Sequence, residues 1–185
     1  MSWVNTVLIL GAAFLAVFWE AAFSGLRRLL GAQLDLLPPL MVYAGLCAGL
    51  PTITLLAVWG GLCLDSLSAS PLGISIAPLF VAGLAVYSSR ELVLRDQTLA
   101  QVVLGLAAGA GVPLLTLLLL LTTGHKPLLG WGTLWQLAVT SAGSALITPL
   151  CFILFDWLRR SLEHAPASES SFRADREIHR GTGVT

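Results

Sequence analysis

The chain reads as a series of long apolar runs separated by short polar or helix-breaking stretches. A helix needs about 20 apolar residues to cross the hydrocarbon core of a bilayer. On that criterion the pattern predicts spans over residues 3–24, 34–50, 52–67, 71–90, 99–122 and 133–158. Each break has its own cause. Arg27 and Arg28 follow the first run, and Pro51 separates the second from the third because proline cannot continue the helical ladder. Arg90, Glu91, Arg95 and Asp96 make a polar connection after the fourth run, and Gly124-His125-Lys126-Pro127 ends the fifth. Ser70-Pro71 predicts the start of the fourth span, since serine caps helices and proline is tolerated at the first helical position. The runs 34–50 and 52–67 are at the short end of the range. They are either short spans enclosed by the others or a hairpin over 34–67 that does not cross cleanly, and the first is the expectation.

The expected fold is therefore an all-α integral membrane protein, one domain of six transmembrane helices over residues 1–160, followed by a polar, disordered tail over 161–185. Composition agrees. Of 185 residues, 56% are hydrophobic and 11% charged, with a mean hydropathy of +0.86. A soluble domain carries about a quarter charged residues, so little folded chain is expected outside the bilayer. Ten basic and ten acidic residues balance to zero, which argues against a nucleic-acid partner. No Lys or Arg precedes the first run, so it is expected to be an uncleaved span rather than a signal peptide.

Basic residues near span ends set orientation. With six spans, Arg90, Arg95, Arg159, Arg160, Arg173, Arg176 and Arg180 share one side, and Arg27, Arg28 and Lys126 the other. This places both termini in the cytoplasm. Trp3, Trp131, Trp135 and Trp157 fall near span ends, where amphipathic rings favour the interface, while Trp19 and Trp59 lie deeper and read as core or partner-facing residues.

Candidate chemistry is sparse. Glu20 and Asp156 lie within a turn or two of span ends and Asp35 lies at one, so interface-level hydration is expected for each. Asp65 precedes the turn into Ser70-Pro71-Leu72-Gly73; it is suited to closing the preceding helix through backbone N–H groups, or to a partner or ligand surface. Cys47, Cys63 and Cys151 sit in apolar runs without metal-ligand spacing and read as small buried residues. No Ser/His/Asp set, paired intramembrane acids, phosphate-binding glycine loop or metal motif is present, and neither catalysis nor a cofactor is expected. Gly45 and Gly49, and likewise Gly105 and Gly109, are spaced four apart. Such pairs let helix backbones approach closely, for internal packing or for docking another protein's membrane helix.

Residues 61–73, Gly-Leu-Cys-Leu-Asp-Ser-Leu-Ser-Ala-Ser-Pro-Leu-Gly, have the pattern of a leucine-rich helix ending in Leu-Asp, a small polar turn, and Pro-Leu-Gly opening the next span. In this, and more loosely in residues 36–43, 90–96 and 157–160, the chain resembles the bacterial rod-shape-determining MreD family over about residues 5–160. The double proline Pro38-Pro39 and the polar tail depart from that pattern. The resemblance implies a non-enzymatic scaffold of the cell-elongation machinery in the inner membrane. Such a scaffold sits beside MreC and acts with RodA, penicillin-binding protein 2 and MreB. It also implies a six-helix fold similar to the substrate-binding subunits of energy-coupling-factor vitamin transporters. Partner contacts are then expected at Asp65, Ser70, Pro71 and Gly73 in the turn and along Gly45, Gly49, Gly105 and Gly109, where the membrane helix of MreC would dock. The other class to weigh is a substrate-capture subunit of a vitamin importer, for which Asp65, Ser66, Ser68, Asn5 and Glu20 are the available polar groups.

Overall fold

The computed structural model describes residues 3–22, 31–67, 71–90, 98–122 and 130–163. These hold six helices: α1 (Trp3–Ala22), α2 (Leu37–Cys47), α3 (Leu50–Leu67), α4 (Ile76–Ser89), α5 (Thr98–Thr122) and α6 (Trp131–Glu163). Four of them, α1, α3, α5 and α6, are long and apolar enough to cross a bilayer. The chain is an α-helical membrane protein. The calls on Arg27, Arg28, Ser68, Ser70, Glu91, Arg95, Asp96, Lys126 and the tail beyond 163 fall outside the described residues.

The two remaining helices correct the expected spans. α2 has 11 residues and α4 has 14, or about 16 and 21 Å at 1.5 Å per residue. Neither alone covers a core of about 30 Å. In α2 the cause is local. Pro38 and Pro39 lack N–H groups and fit only in a first turn, so the helix cannot begin earlier. At its other end Ala48 is extended, and Gly49 and Pro51 follow. α4 starts five residues after Pro71, because residues 72–75 form turns around Gly73, whose φ is +93°. Pro71 therefore does not open α4 as expected. α6 also overruns its predicted end, continuing through Arg160 to Glu163.

α2 is the centre of the bundle and packs against all five other helices. Every residue from Leu37 to Gly45 is buried. Tyr43 stacks on Phe155 of α6 at 4.4 Å between ring centroids and meets Phe152 edge-on at 5.1 Å. Around this core the long helices bury only one stripe each, and on α1 that stripe is Ile9, Ala13 and Val17. All six tryptophans, Trp19 and Trp59 included, point away from the core.

Glycines decide how closely the helices approach. A Cβ on Gly45 would fall 2.8 Å from the Val86 side chain, and one on Gly83 would fall 2.7 Å from both Ile53 and Met41. On α5, Gly105 faces Thr148 and Gly109 faces Ser144, so α5 and α6 form the most extensive helix pair. These faces are filled from within the chain. Of the two roles expected for Gly45, Gly105 and Gly109, the described residues show internal packing, and among them no open groove runs along these glycines. Gly49 lies outside the helices, in the α2–α3 turn, so Gly45 and Gly49 do not share a helix face.

Candidate functional site: two carboxylate-held turns

One end of the bundle holds the two carboxylates, Asp65 and Glu20, that bond to backbone N–H groups. Asp65 is only 2% exposed. Its Oδ2 accepts the backbone N–H of Gly73 at 2.7 Å and of Ser75 at 3.2 Å, and its Oδ1 accepts the Ser75 hydroxyl at 2.5 Å. The N–H groups opening a helix have no partners within it, and away from water each needs one. Asp65 takes the N–H of Ser75, the N-cap residue of α4, and that of Gly73 in the turn before it, where a negative charge is also favoured by the helix dipole. Asp65 thus secures the following helix rather than closing its own.

Gly61 makes this reach possible. It precedes Asp65 by four residues, so both lie on one face of α3. A Cβ on Gly61 would sit 2.8 Å from the Ile76 side chain and 3.0 Å from its Cα and N. The start of α4 rests against bare backbone at Gly61, and the carboxylate one turn further on holds the turn above it. The Gly-x-x-x-Asp spacing is visible in the sequence; only the contact with Ile76 gives it meaning.

Glu20 repeats the arrangement. It lies two residues before the end of α1, as Asp65 lies two before the end of α3. Its Oε1 accepts the Leu36 N–H at 2.8 Å, at the entry to α2, while its Oε2 is buried with no hydrogen-bond partner among the described residues. Asp35 lies close enough to act on Glu20 electrostatically, and burial pushes the Asp35 carboxyl itself up from 3.8 to about 6. A third tie joins Gln136 of α6 to the same approach: its side-chain amide accepts from Gln33 N at 3.0 Å and donates to Gln33 O at 2.8 Å. Each short helix is therefore held at its entry by a carboxylate from the long helix before it. This pairing was missed in the sequence. Its signal is an acid two residues from the end of a long run, ahead of a short one.

The turn presents apolar groups outward. Leu67 is 60% exposed and Leu72 is 73% exposed, with Pro71 exposed beside them. Asp65 cannot itself touch a partner, and Gly73 serves the turn geometry. Ser66 bonds its own helix at Cys63 O. Asn5 belongs to the other end, next to Thr6, whose hydroxyl pairs with that of Thr52 at 3.1 Å. Among the described residues no three His, Cys, Asp or Glu side chains converge. Comparison with protein-family models, with curated proteins and with solved structures gives no match.

Proposed function

We propose that this chain is a non-enzymatic scaffold of the bacterial cell-elongation complex, of the MreD type, embedded in the inner membrane with both termini in the cytoplasm. Six crossings follow if α2 and α4 complete them. The support is that Leu36 is tied to Glu20 near one end of α1 and Thr52 to Thr6 near the other, so the segment between them runs the length of the first helix. MreC is the direct partner through its membrane helix, and RodA, penicillin-binding protein 2 and MreB act in the same assembly.

The observation that carries this reading is the Asp65-held turn. It lies in the stretch on which the resemblance is most specific, and there a buried carboxylate holds Gly73 and Ser75 while Leu67 and Leu72 are displayed. An exposed apolar pair beside a hydrogen-bonded carboxylate suits a protein contact. Two clefts of about 330 and 240 Å³ are lined almost wholly by apolar groups. That favours contact with helices and lipid over capture of a vitamin, which needs convergent polar groups.

The test is recovery of an MreC-like chain with the purified protein in mild detergent. Leu67→Ser combined with Leu72→Ser should lower recovery about tenfold, equivalent to about 1.4 kcal/mol, while the variant still elutes as a single species. Full recovery with the double variant would sink the proposal. Recovery of a transporter ATPase instead would favour vitamin import.

A further inference from the structure

Trp59 stands apart from the other five tryptophans. Those lie within two turns of a helix end, where an indole N–H can reach headgroups or water. Trp59 lies nine residues after Leu50 and eight before Leu67, at the middle of α3. That helix is long and apolar enough to cross a bilayer, so Trp59 falls at mid-depth, about 12–14 Å from either helix end. It is 49% exposed and does not belong to the core. Its N–H has no hydrogen-bond partner among the described residues.

Lipid cannot satisfy that group. At mid-depth there is no water, and the acceptors of a phospholipid lie in the interfacial regions. The indole spans little more than one helical turn, about 5 Å, so its N–H does not reach them. A polar group left unpaired in hydrocarbon is costly, and a second polypeptide that brings an acceptor to this depth removes the cost. The surroundings suit a helix. Leu55, Trp59, Leu62 and Ser66 follow one another at helical spacing along an exposed stripe of α3 that ends beside Leu67. Next to this stripe, Thr54 and Val58 line an apolar groove of about 330 Å³ and face Ile76, Ala77 and Phe80 of α4 across it. The hydroxyls of Thr54 and Ser66 are already bonded within α3, to the carbonyls of Leu50 and Cys63. Among the described residues of this face, Trp59 therefore carries the one open N–H or O–H donor.

We propose that this face of α3 seats a membrane helix of a different protein, which presents a side-chain hydrogen-bond acceptor to the Trp59 N–H at mid-bilayer. A Ser, Thr, Asn or Gln on the partner supplies such an acceptor. Apolar packing along Leu55 and Leu62 seats the helix, and Trp59 selects one with a polar residue at the right depth. The site holds whichever protein carries that helix; in the elongation-complex reading the helix is that of MreC.

The experiment is photocrosslinking in native membranes, from benzoylphenylalanine in place of Leu62 in the full chain, with the crosslinked peptides identified by mass spectrometry. Leu55 is the second site for the probe if the first variant does not fold. Crosslinks should map to a membrane-spanning segment of a different protein. Trp59→Phe keeps an aromatic ring and removes only the N–H, and should lower the crosslinking yield about threefold to tenfold, the range for one interhelical hydrogen bond. The melting temperature of purified Trp59→Phe should match that of the wild type, because the N–H bonds nothing within the chain. An unchanged yield in Trp59→Phe overturns the proposal, as do crosslinks to lipid alone or to a second copy of this chain. A melting temperature that falls together with the yield would give Trp59 a structural role and overturn it too. The two readings fail separately. A Trp59-dependent crosslink to a chain unlike MreC keeps the docking site and removes the elongation-complex reading, while recovery of an MreC-like chain that is indifferent to Trp59 does the reverse.

Discussion

α1 and α2 are both runs of almost uninterrupted apolar residues, and they end in opposite environments. α1 has 20 residues and gives the core only one stripe, while Phe14, Leu15, Phe18 and Trp19 face outward. α2 has 11 residues and is enclosed on every side. In water such a contrast would show in the sequence, because an exposed face must be polar. In a bilayer it does not, since lipid is as apolar as the core. What separates the two helices is geometry. Prolines shorten α2, and glycines on its neighbours let them close around it.

The sharpest test of that contrast compares aromatic truncations. Tyr43→Ala removes the ring stacked on Phe155 and Phe152 and should cost about 3–5 kcal/mol. Phe14→Ala on the outer face of α1 should stay within about 0.5 kcal/mol. Thermal unfolding in one detergent reads both, and comparable losses would erase the distinction between core and lipid-facing helix.

Next in size are the carboxylates that hold the two short helices. Asp65→Ala strands two backbone N–H groups and the Ser75 hydroxyl, and should cost about 2–3 kcal/mol. Glu20→Gln keeps the oxygen that accepts from Leu36 and gives the orphaned position a donor, so its effect should stay within about 0.5 kcal/mol. Hydrogen exchange at Gly73 and Ser75 should rise in Asp65→Ala while exchange at Leu36 does not. A rise at all three would mean that the turns are coupled rather than separately held.

The glycines give a somewhat smaller contrast. Gly83→Ala pushes a methyl group into Met41 and Ile53 and should cost about 1–3 kcal/mol. Gly11→Ala on α1 meets nothing within 4 Å, and should be neutral or gain up to about 1 kcal/mol from helix propensity. Equal melting temperatures for the two variants would contradict the close packing around α2. Smallest is Gln136→Ala, which removes an exposed amide clamp on Gln33 and should cost about 0.5–1 kcal/mol, seen as faster proteolysis near residue 33.

Membrane class and the order of the six described helices were legible in the sequence. Length and hydropathy alone decide whether a helix is compatible with hydrocarbon, and the predicted runs 3–24 and 99–122 match α1 and α5 within two residues at either end. Breakers were legible as breakers too. Pro51 does mark the start of α3, and Asp65 does bond to the N–H groups of its turn. The tertiary structure alone decided the rest. It made Gly105 and Gly109 an internal seam, moved the start of α4 from Pro71 to Ile76, and set α2 at the centre. Hydrophobic periodicity cannot carry that information when both solvent and core are apolar. Shape and hydrogen bonding carry it instead, and the residues concerned, Gly61 with Ile76 and Asp65 with Ser75, meet only once the chain has folded.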